Sequence, residues 1–334
     1  MEVNHYKIPV NYLLLLALLF LFYATNTHAQ VTFVQDNTAT VQLFQAVRTG
    51  DTKKLESLLK KGADANTVLE DYSVLMAATL YGNVDAMKAL IKHGANVNYY
   101  NRDSISSIWL AVPDYSKTNL LIQHGADVNR RSREGNNVLV KLAAIPGSAK
   151  LMKLLIDKGC DVNHSGRLND IMFNAAGTDD TAMVGFLIRN GVSINDTNIV
   201  GDYPLTSATN YRCFQTLKML VDSGANVNVS PKAGILPLIG SVTPLMWAAV
   251  SNDKPAFYYL LDHGADAKAR TTRGYTTLMF LAMSEEDDPA MMQALIDHGA
   301  LPAAKAKDNT NALYYAALKG NTKSVALLHT YTSK

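Results

Sequence analysis

Only two cysteines, Cys160 and Cys213, occur in the 334 residues, so no disulfide framework braces this chain and its stability must come from packing. No charge dominates either. Lys and Arg total 31 against 29 Asp and Glu, a formal charge of +2 that makes no electrostatic case for gripping nucleic acid or an anionic membrane surface. The longest apolar run, Tyr12 to Ala24, is thirteen residues, too short to span a bilayer comfortably. His-Glu-x-x-His, Gly-x-Ser-x-Gly, a phosphate loop ending in Lys-Ser/Thr and cysteines at zinc spacing are all missing, so no catalytic residue, metal ligand or cofactor is expected.

With 48% hydrophobic residues the chain can bury a continuous core. Its first residues read as an address: Lys7, then the apolar run, then Thr25-Asn-Thr-His-Ala29, small-x-small before Gln30. Residues 1–29 are read as a signal peptide cleaved near Ala29 and residues 30–40 as a lead-in, with an uncleaved membrane anchor as the alternative.

The rest is repetitive. Two branched apolar residues, two polar ones and then Gly-small-x-x-Asn recur in Leu58-Leu-Lys-Lys-Gly-Ala-Asp-Ala-Asn66, Leu90-Ile-Lys-His-Gly-Ala-Asn-Val-Asn98, Leu121-Ile-Gln-His-Gly-Ala-Asp-Val-Asn129 and Leu155-Ile-Asp-Lys-Gly-Cys-Asp-Val-Asn163. Later copies carry Gly191, Gly224, Gly264 and Gly299, and from Gly62 onward the spacings are 32, 31, 34, 32, 33, 40 and 35 residues. A second phrase, Thr243-Pro-Leu-Met-Trp-Ala-Ala249, has looser copies at Ser73-Val-Leu-Met-Ala-Ala78 and Thr276-Thr-Leu-Met-Phe-Leu-Ala282. Thr243 can cap a helix that starts on Pro244, where a missing N–H costs nothing. One turn on, Leu245 and Ala248 share a face. The equivalent column of Leu75, Ile108, Leu139, Met172, Leu205, Leu245, Leu278 and Leu313 is apolar throughout and predicts the spine of a core. The glycine ends the second helix, and the Asx-rich stretch turns toward the next unit.

These two phrases at this period resemble the ankyrin-repeat family over about Val41 to His329. The resemblance implies an all-α solenoid of about nine helix-turn-helix repeats with β-hairpin fingers. The array covers residues 41–334, with a capping repeat at 41–66, seven central repeats over 67–303 and a terminal repeat at 304–334 ending in the polar Thr330 to Lys334. Three places depart from the pattern: Pro113 breaks a first helix early, Glu285-Glu-Asp-Asp-Pro289 lies between two helices, and residues 230–241 form an insertion with an apolar Ile235-Leu-Pro-Leu-Ile239 centre. Such irregularities are expected where an array does something besides stack.

Several residues have both a structural and a functional reading. His93, His124, His263 and His298 precede the repeat glycine of their units; neighbouring rungs of that ladder fall roughly 10 Å apart, too far to share one metal ion, so they are expected as helix C-terminal donors. Cys160 and Cys213 are expected reduced. Asn163, Asn195 and Asn228 each open an Asn-x-Ser/Thr sequon but are also turn asparagines, and the structural role is taken as sufficient. Trp109 and Trp247 are expected in packing between repeats.

By resemblance, ankyrin arrays bind proteins with finger tips and with the exposed side of the first helices, the palm. The finger positions are Tyr72, Arg102, Asp103, Arg133, Glu134, Arg167, Asn169, Asp202, Arg273 and Tyr275, and the palm positions are Leu80, Tyr81, Tyr211 and Arg212. Tyr and Arg are the residue types that dominate binding hot spots. The expected function is a noncatalytic protein-binding scaffold, periplasmic or secreted, whose partner is another protein and not nucleic acid, with membrane association only if the N-terminal segment stays uncleaved. Two alternatives are a membrane-anchored adaptor and a small-molecule-binding or enzymatic accessory built on residues 230–241.

Overall fold

The computed structural model describes residues 38–81, 83–162, 170–198, 201–231 and 240–332. Among these residues eighteen helices follow one another in nine pairs. The chain divides into two compact units, residues 1–142 with 150–161, and residues 143–149 with 162–334. The first unit holds α1 (Ala39–Arg48), α2 (Thr52–Lys60), α3 (Val74–Tyr81), α4 (Val84–Lys92), α5 (Ser107–Ala111), α6 (Tyr115–Gln123) and most of α7 (Val138–Ala143) and α8 (Ala149–Asp157). The second holds α9 (Asp170–Ala176), α10 (Thr181–Arg189), α11 (Pro204–Asn210), α12 (Phe214–Asp222), α13 (Pro244–Val250), α14 (Lys254–Asp262), α15 (Thr277–Ala282), α16 (Pro289–Asp297), α17 (Ala312–Lys319) and α18 (Thr322–Thr332). The signal-peptide reading and most of the lead-in lie outside the described residues, and α1 begins at Ala39, inside the segment read as lead-in.

Short side chains at the helix starts explain the punctuation. Thr243 accepts a hydrogen bond from the Met246 N–H, with Pro244 in the first turn, as its sequence predicts. Thr276 and Asn311 do the same for α15 and α17. The second helix of most pairs starts on an acid or amide, namely Asp51, Asn83, Asp114, Asp180, Asp253 and Asp288, each accepting a backbone N–H of the first turn. Each such cap is worth about 1 kcal/mol. At the other end Gly94 takes φ +87, and the next N–H, that of Ala95, returns to the Leu90 carbonyl at 3.0 Å, a closure that a side chain at position 94 would strain.

In the first unit α1, α3 and α5 pack side by side as one layer and α2, α4 and α6 as a second. In the second unit α9, α11, α13, α15 and α17 form one layer, behind which α10, α12 and α14 pack in turn and α16 packs on α18. The apolar column is buried in both units, by Leu75, Ile108 and Leu139 in the first and by Met172, Leu205, Leu245 and Leu278 in the second. The last member, Leu313, is only half-buried, and α17 also leaves Tyr314 and Leu318 exposed. The end of the array is therefore not the uniformly polar cap that its final residues suggest. The fingers pair sparingly: β1 (Val68–Leu69) and β2 (Tyr72–Ser73) form one hairpin, while Tyr100↔Ser106, Arg270↔Thr276 and Lys305↔Asn311 are single antiparallel bridges.

Turn asparagines bind each repeat to the next. The Asn66 amide donates to the Gly94 carbonyl at 3.0 Å while its Oδ1 accepts the Asn96 N–H at 2.7 Å. Asn98 treats Gly125 and Asp127 likewise, and Asn129 treats Gly159 and Asp161. In the second unit Asn195 bridges to Gly224 and Asn226, and Asn228 to Gly264 and Asp266.

The irregularities have structural explanations. The Trp109 carbonyl would accept from residue 113 in a continuing helix, but a proline there has no N–H. Lys141 supplies the missing donor, its Nζ lying 2.8 Å from that oxygen, and burial lowers the lysine pKa to about 8. The acidic segment between α15 and α16 is a staple within the second unit. Asp287 accepts the N–H groups of Lys323 (2.7 Å) and Ser324 (3.0 Å) and the Ser324 hydroxyl (2.6 Å), while Asp288 pairs with Lys254 at 2.7 Å. Glu285 reaches Lys319 and Glu286 reaches Asn252. Residues 232–239 of the insertion lie outside the described residues. Its return is visible at Gly240, at φ +91, where an added Cβ would sit 2.1 Å from the Thr272 hydroxyl.

Candidate partner-binding surfaces

In the first unit the expected finger residues form an alternating ladder of charge. The two-residue turn between β1 and β2 is Glu70-Asp71, both at positive φ (+49 and +70), the conformation of a tight hairpin turn. This turn aims the Asp71 carboxylate at the next finger, where it accepts the Arg102 N–H at 2.9 Å and lies 3.8 Å from the Arg102 guanidinium. One finger further, the Arg133 N–H donates to the Asp103 carbonyl at 3.1 Å and its guanidinium stands 3.8 Å from the Asp103 carboxylate. Glu134 accepts the Ser132 hydroxyl at 2.8 Å. The backbone of each finger is thus pinned by its neighbour, yet the Arg102 and Arg133 side chains are 89% and 78% exposed.

Beside the ladder stand aromatic and apolar groups. Tyr72 is half-buried, and its pKa is raised by burial and by the charges of Asp103 and Asp71 and the Tyr81 hydroxyl. Leu80 and Tyr81 at the end of α3 are 46% and 58% exposed. Sequence reasoning missed Asp71, Val68 and Leu69. The last two are exposed on the hairpin, and the Glu-Asp pair flanked by Leu69 and Tyr72 was the available signal for a two-residue turn.

The second unit holds Tyr211, Arg212, Arg273 and Tyr275. Tyr211 packs its ring over Gly177, where a Cβ would lie 2.9 Å from ring carbon Cδ2, so this tyrosine serves contact between repeats and is not a free palm residue. Arg212 lies 3.9 Å from the largely buried Asp253 carboxylate. The Tyr275 hydroxyl donates to Asp308 at 2.6 Å and faces the Tyr315 hydroxyl at 3.4 Å; these hydrogen bonds raise its pKa. Hydrogen bonds from the Thr310 and Tyr275 hydroxyls in turn hold Asp308 down to about 2. Arg273 is exposed, and its carbonyl accepts the Lys307 N–H at 3.0 Å. Arg167 and Asn169 lie outside the described residues.

Asp202 departs from its expected place on a finger. It is 2% exposed, and its Oδ1 has no hydrogen-bond partner among the described residues. Burial raises its pKa to about 6.

Among the described residues no group of His, Cys, Asp and Glu is placed to hold a metal ion, and no helix is long and apolar enough to cross a membrane. All four ladder histidines end their helices. The Nδ1 atoms of His263 and His298 lie 2.8 Å from the carbonyls of Tyr259 and Ala294, one turn back. Both cysteines are free and buried, and burial pushes their thiols up to about 12. The sequon asparagines Asn195 and Asn228 spend their amide groups on the bonds between repeats, so a glycan there would displace those bonds; Asn163 lies outside the described residues. Trp109 and Trp247 are half-buried.

The family model described as Ankyrin repeats (3 copies) matches residues 43–132, 140–231, 171–271 and 245–333. Ankyrin repeat and KH domain-containing protein mask-1 of Caenorhabditis elegans is 23% identical over 298 residues, 87% of this chain but 11% of that protein. A putative ankyrin repeat protein of Fowlpox virus (strain NVSL) is 23% identical over 172 residues, 50% of this chain and 39% of its own length. The human Notch-regulated ankyrin repeat-containing protein is 32% identical over 78 residues, 22% of this chain and 68% of its own. The chain thus spans from about a tenth to two fifths of the length of the first two relatives.

Proposed function

Because the chain belongs to the ankyrin-repeat family, whose arrays generally bind other proteins, we propose that it is a noncatalytic scaffold that captures a partner protein on the finger and palm face of its first unit. The observation that carries this reading is the pairing of fixed backbone with exposed side chain at Arg102 and Arg133. Their N–H groups are tied to the preceding finger while their guanidinium groups stay in water, so little backbone entropy is lost when a partner carboxylate or aromatic group meets them. Tyr72, Leu80 and Tyr81 supply apolar area beside them, and arginine with tyrosine is the combination that concentrates binding energy. Within the second unit, Arg212, Arg273 and Tyr275 are secondary candidates, since Tyr211 is taken up by Gly177. The reading includes export, with residues 1–29 removed and the array acting in the periplasm or outside the cell.

Replacing Tyr72, Arg102 and Arg133 together by Ala tests it. Two hot-spot losses of about 2 kcal/mol each already approach a thousandfold, so capture of proteins from the exported fraction should fall by more than a hundredfold. The thermal melt should barely move, and Lys54→Glu with Lys88→Glu on the outer helices should leave capture intact. Undiminished capture by the triple variant would overturn the assignment of this face.

A further inference from the structure

The near-neutral total conceals a gathering of lysines on the outer helices of the first two repeats. Leu55 and Leu59 turn one side of α2 into the core, and at 100° per residue this sends Lys53, Lys54, Lys60 and the C-cap Lys61 to the opposite side. On the neighbouring α4, Lys88 and Lys92 are exposed while Ala86, Met87 and Leu90 are buried. The two helices carry two acids beside these six lysines, Glu56 at 3.8 Å from Lys60 and Asp85 at 3.3 Å from Lys88, while the flanking Asp51 and Asp64 accept the backbone N–H groups of Lys54 and Asn66. Lys53, Lys54, Lys61 and Lys92 remain as exposed ammonium groups with no ion pair among the described residues. On the next two outer helices Lys117 is bonded to the Thr79 carbonyl, Lys150 stands over the Tyr115 ring and Lys153 is paired with Asp157, which leaves Lys158, just past α8, exposed in the way Lys61 is.

We propose that this lysine face docks on an anionic lipid bilayer. Neither α2 nor α4 carries an arginine, tyrosine or tryptophan, the residues that anchor protein interfaces, whereas lysine is depleted there. Strongly hydrated point charges on a helical face suit a diffuse field of lipid phosphates, for which each lysine near the surface gives about a fivefold gain in binding. Chain connectivity agrees. The apolar run ends at Ala24 and α1 begins at Ala39, fifteen residues later, at most about 50 Å of extended chain. A bilayer holding that run has the first two repeats within reach, and a chain cleaved near Ala29 relies on the lysines alone. The proposal goes beyond partner capture and leaves the arginine fingers, on other elements, free for it.

The test is cosedimentation of the full chain with phosphatidylcholine vesicles containing or lacking phosphatidylglycerol. The wild type should bind the anionic vesicles and lose them in about 1 M salt, where the screening length shrinks to about 3 Å. Replacing Lys53, Lys54, Lys61 and Lys92 together by Gln should weaken that binding several hundredfold, with finger-dependent capture in vesicle-free solution unchanged. Equal binding to neutral vesicles, or full binding by the four-lysine variant, overturns the proposal and points to the apolar run. Binding to soluble polyglutamate but not to anionic vesicles overturns it in favour of an acidic protein. If the four-fold variant loses its circular dichroism melt, the pairs Lys53 with Lys54 and Lys61 with Lys92 are replaced separately, and each pair should weaken binding by about 25-fold.

Discussion

Replacing Asp202 by Asn should favour the second unit more at neutral pH than in acid. The carboxyl is buried, and desolvation lifts its pKa from 3.8 to about 6. A carboxyl with a raised folded pKa gives stability that is full below the unfolded value and is lost as pH rises through the folded one. A shift of about two units at roughly 1.4 kcal/mol per unit bounds the loss near 3 kcal/mol, and water reaching the site brings the expected figure to about 2 kcal/mol. Asn keeps the shape and cannot ionise, so any cost of its amide group is the same at every pH. Urea unfolding followed by circular dichroism at about pH 4, 6 and 8 should therefore show a variant-minus-wild-type difference that grows by about 2 kcal/mol between the extremes. Other carboxylates cancel in that difference. A difference flat with pH would refute the reasoning, because it would mean that Asp202 is already solvated in the folded chain.

A charge in the column at Leu245→Asp should unfold the second unit, at a cost above about 4 kcal/mol; an unchanged circular dichroism melt would show that the helical phase is wrong. Burial works to raise the Asp287 pKa, but the hydrogen bonds from Ser324 and the Lys323 N–H outweigh it and the net shift is downward. Asp287→Ala should cost about 1–2 kcal/mol and show as faster hydrogen exchange in α18. With a lowered folded pKa, the contribution of this group is present above the ordinary carboxylate range and is lost as pH falls through the folded value. Export should leave a mature chain starting at Gln30, and mass spectrometry showing an intact N-terminus would favour the anchored alternative.

What was legible in the sequence was whatever repeats. Leu245 and Gly264 could be placed because each is one instance of a pattern set by helix period and turn geometry, so misplacing one contradicts the others. The fingers were legible as positions but not as environments. Tyr72, Asp202 and Tyr275 occupy the same place relative to the column, yet the structure leaves Tyr72 half-buried, ties Tyr275 to Asp308 and buries Asp202. That outcome depends on neighbours some thirty residues away, which no local period encodes. Tyr211 shows the same limit, since its seat is made by the missing Cβ of Gly177. The staple role of the acidic segment was hidden for a related reason: four adjacent acids look like a solvated loop until their partners in the flanking repeats are known.

The turn asparagines can be regarded as latches in series, each fastening one repeat to the next by an uncharged amide that no physiological change of pH or salt can release. The series lapses at Lys268, which stands where the asparagine would be and lays its stem against Gly299. Past that point carboxylates take a share of the contacts on the loop side, Asp288 with Lys254, Asp287 with the start of α18 and Glu285 with Lys319, beside the neutral bonds of the Asn321 amide to the Ala282 and Ser284 carbonyls. Load passing along the second unit therefore leaves the asparagine series at Lys268 and is shared past it between charged and neutral ties. Acid or salt should loosen this end before the latched repeats, so the last two repeats should peel away as a block while α11 to α14 stay closed.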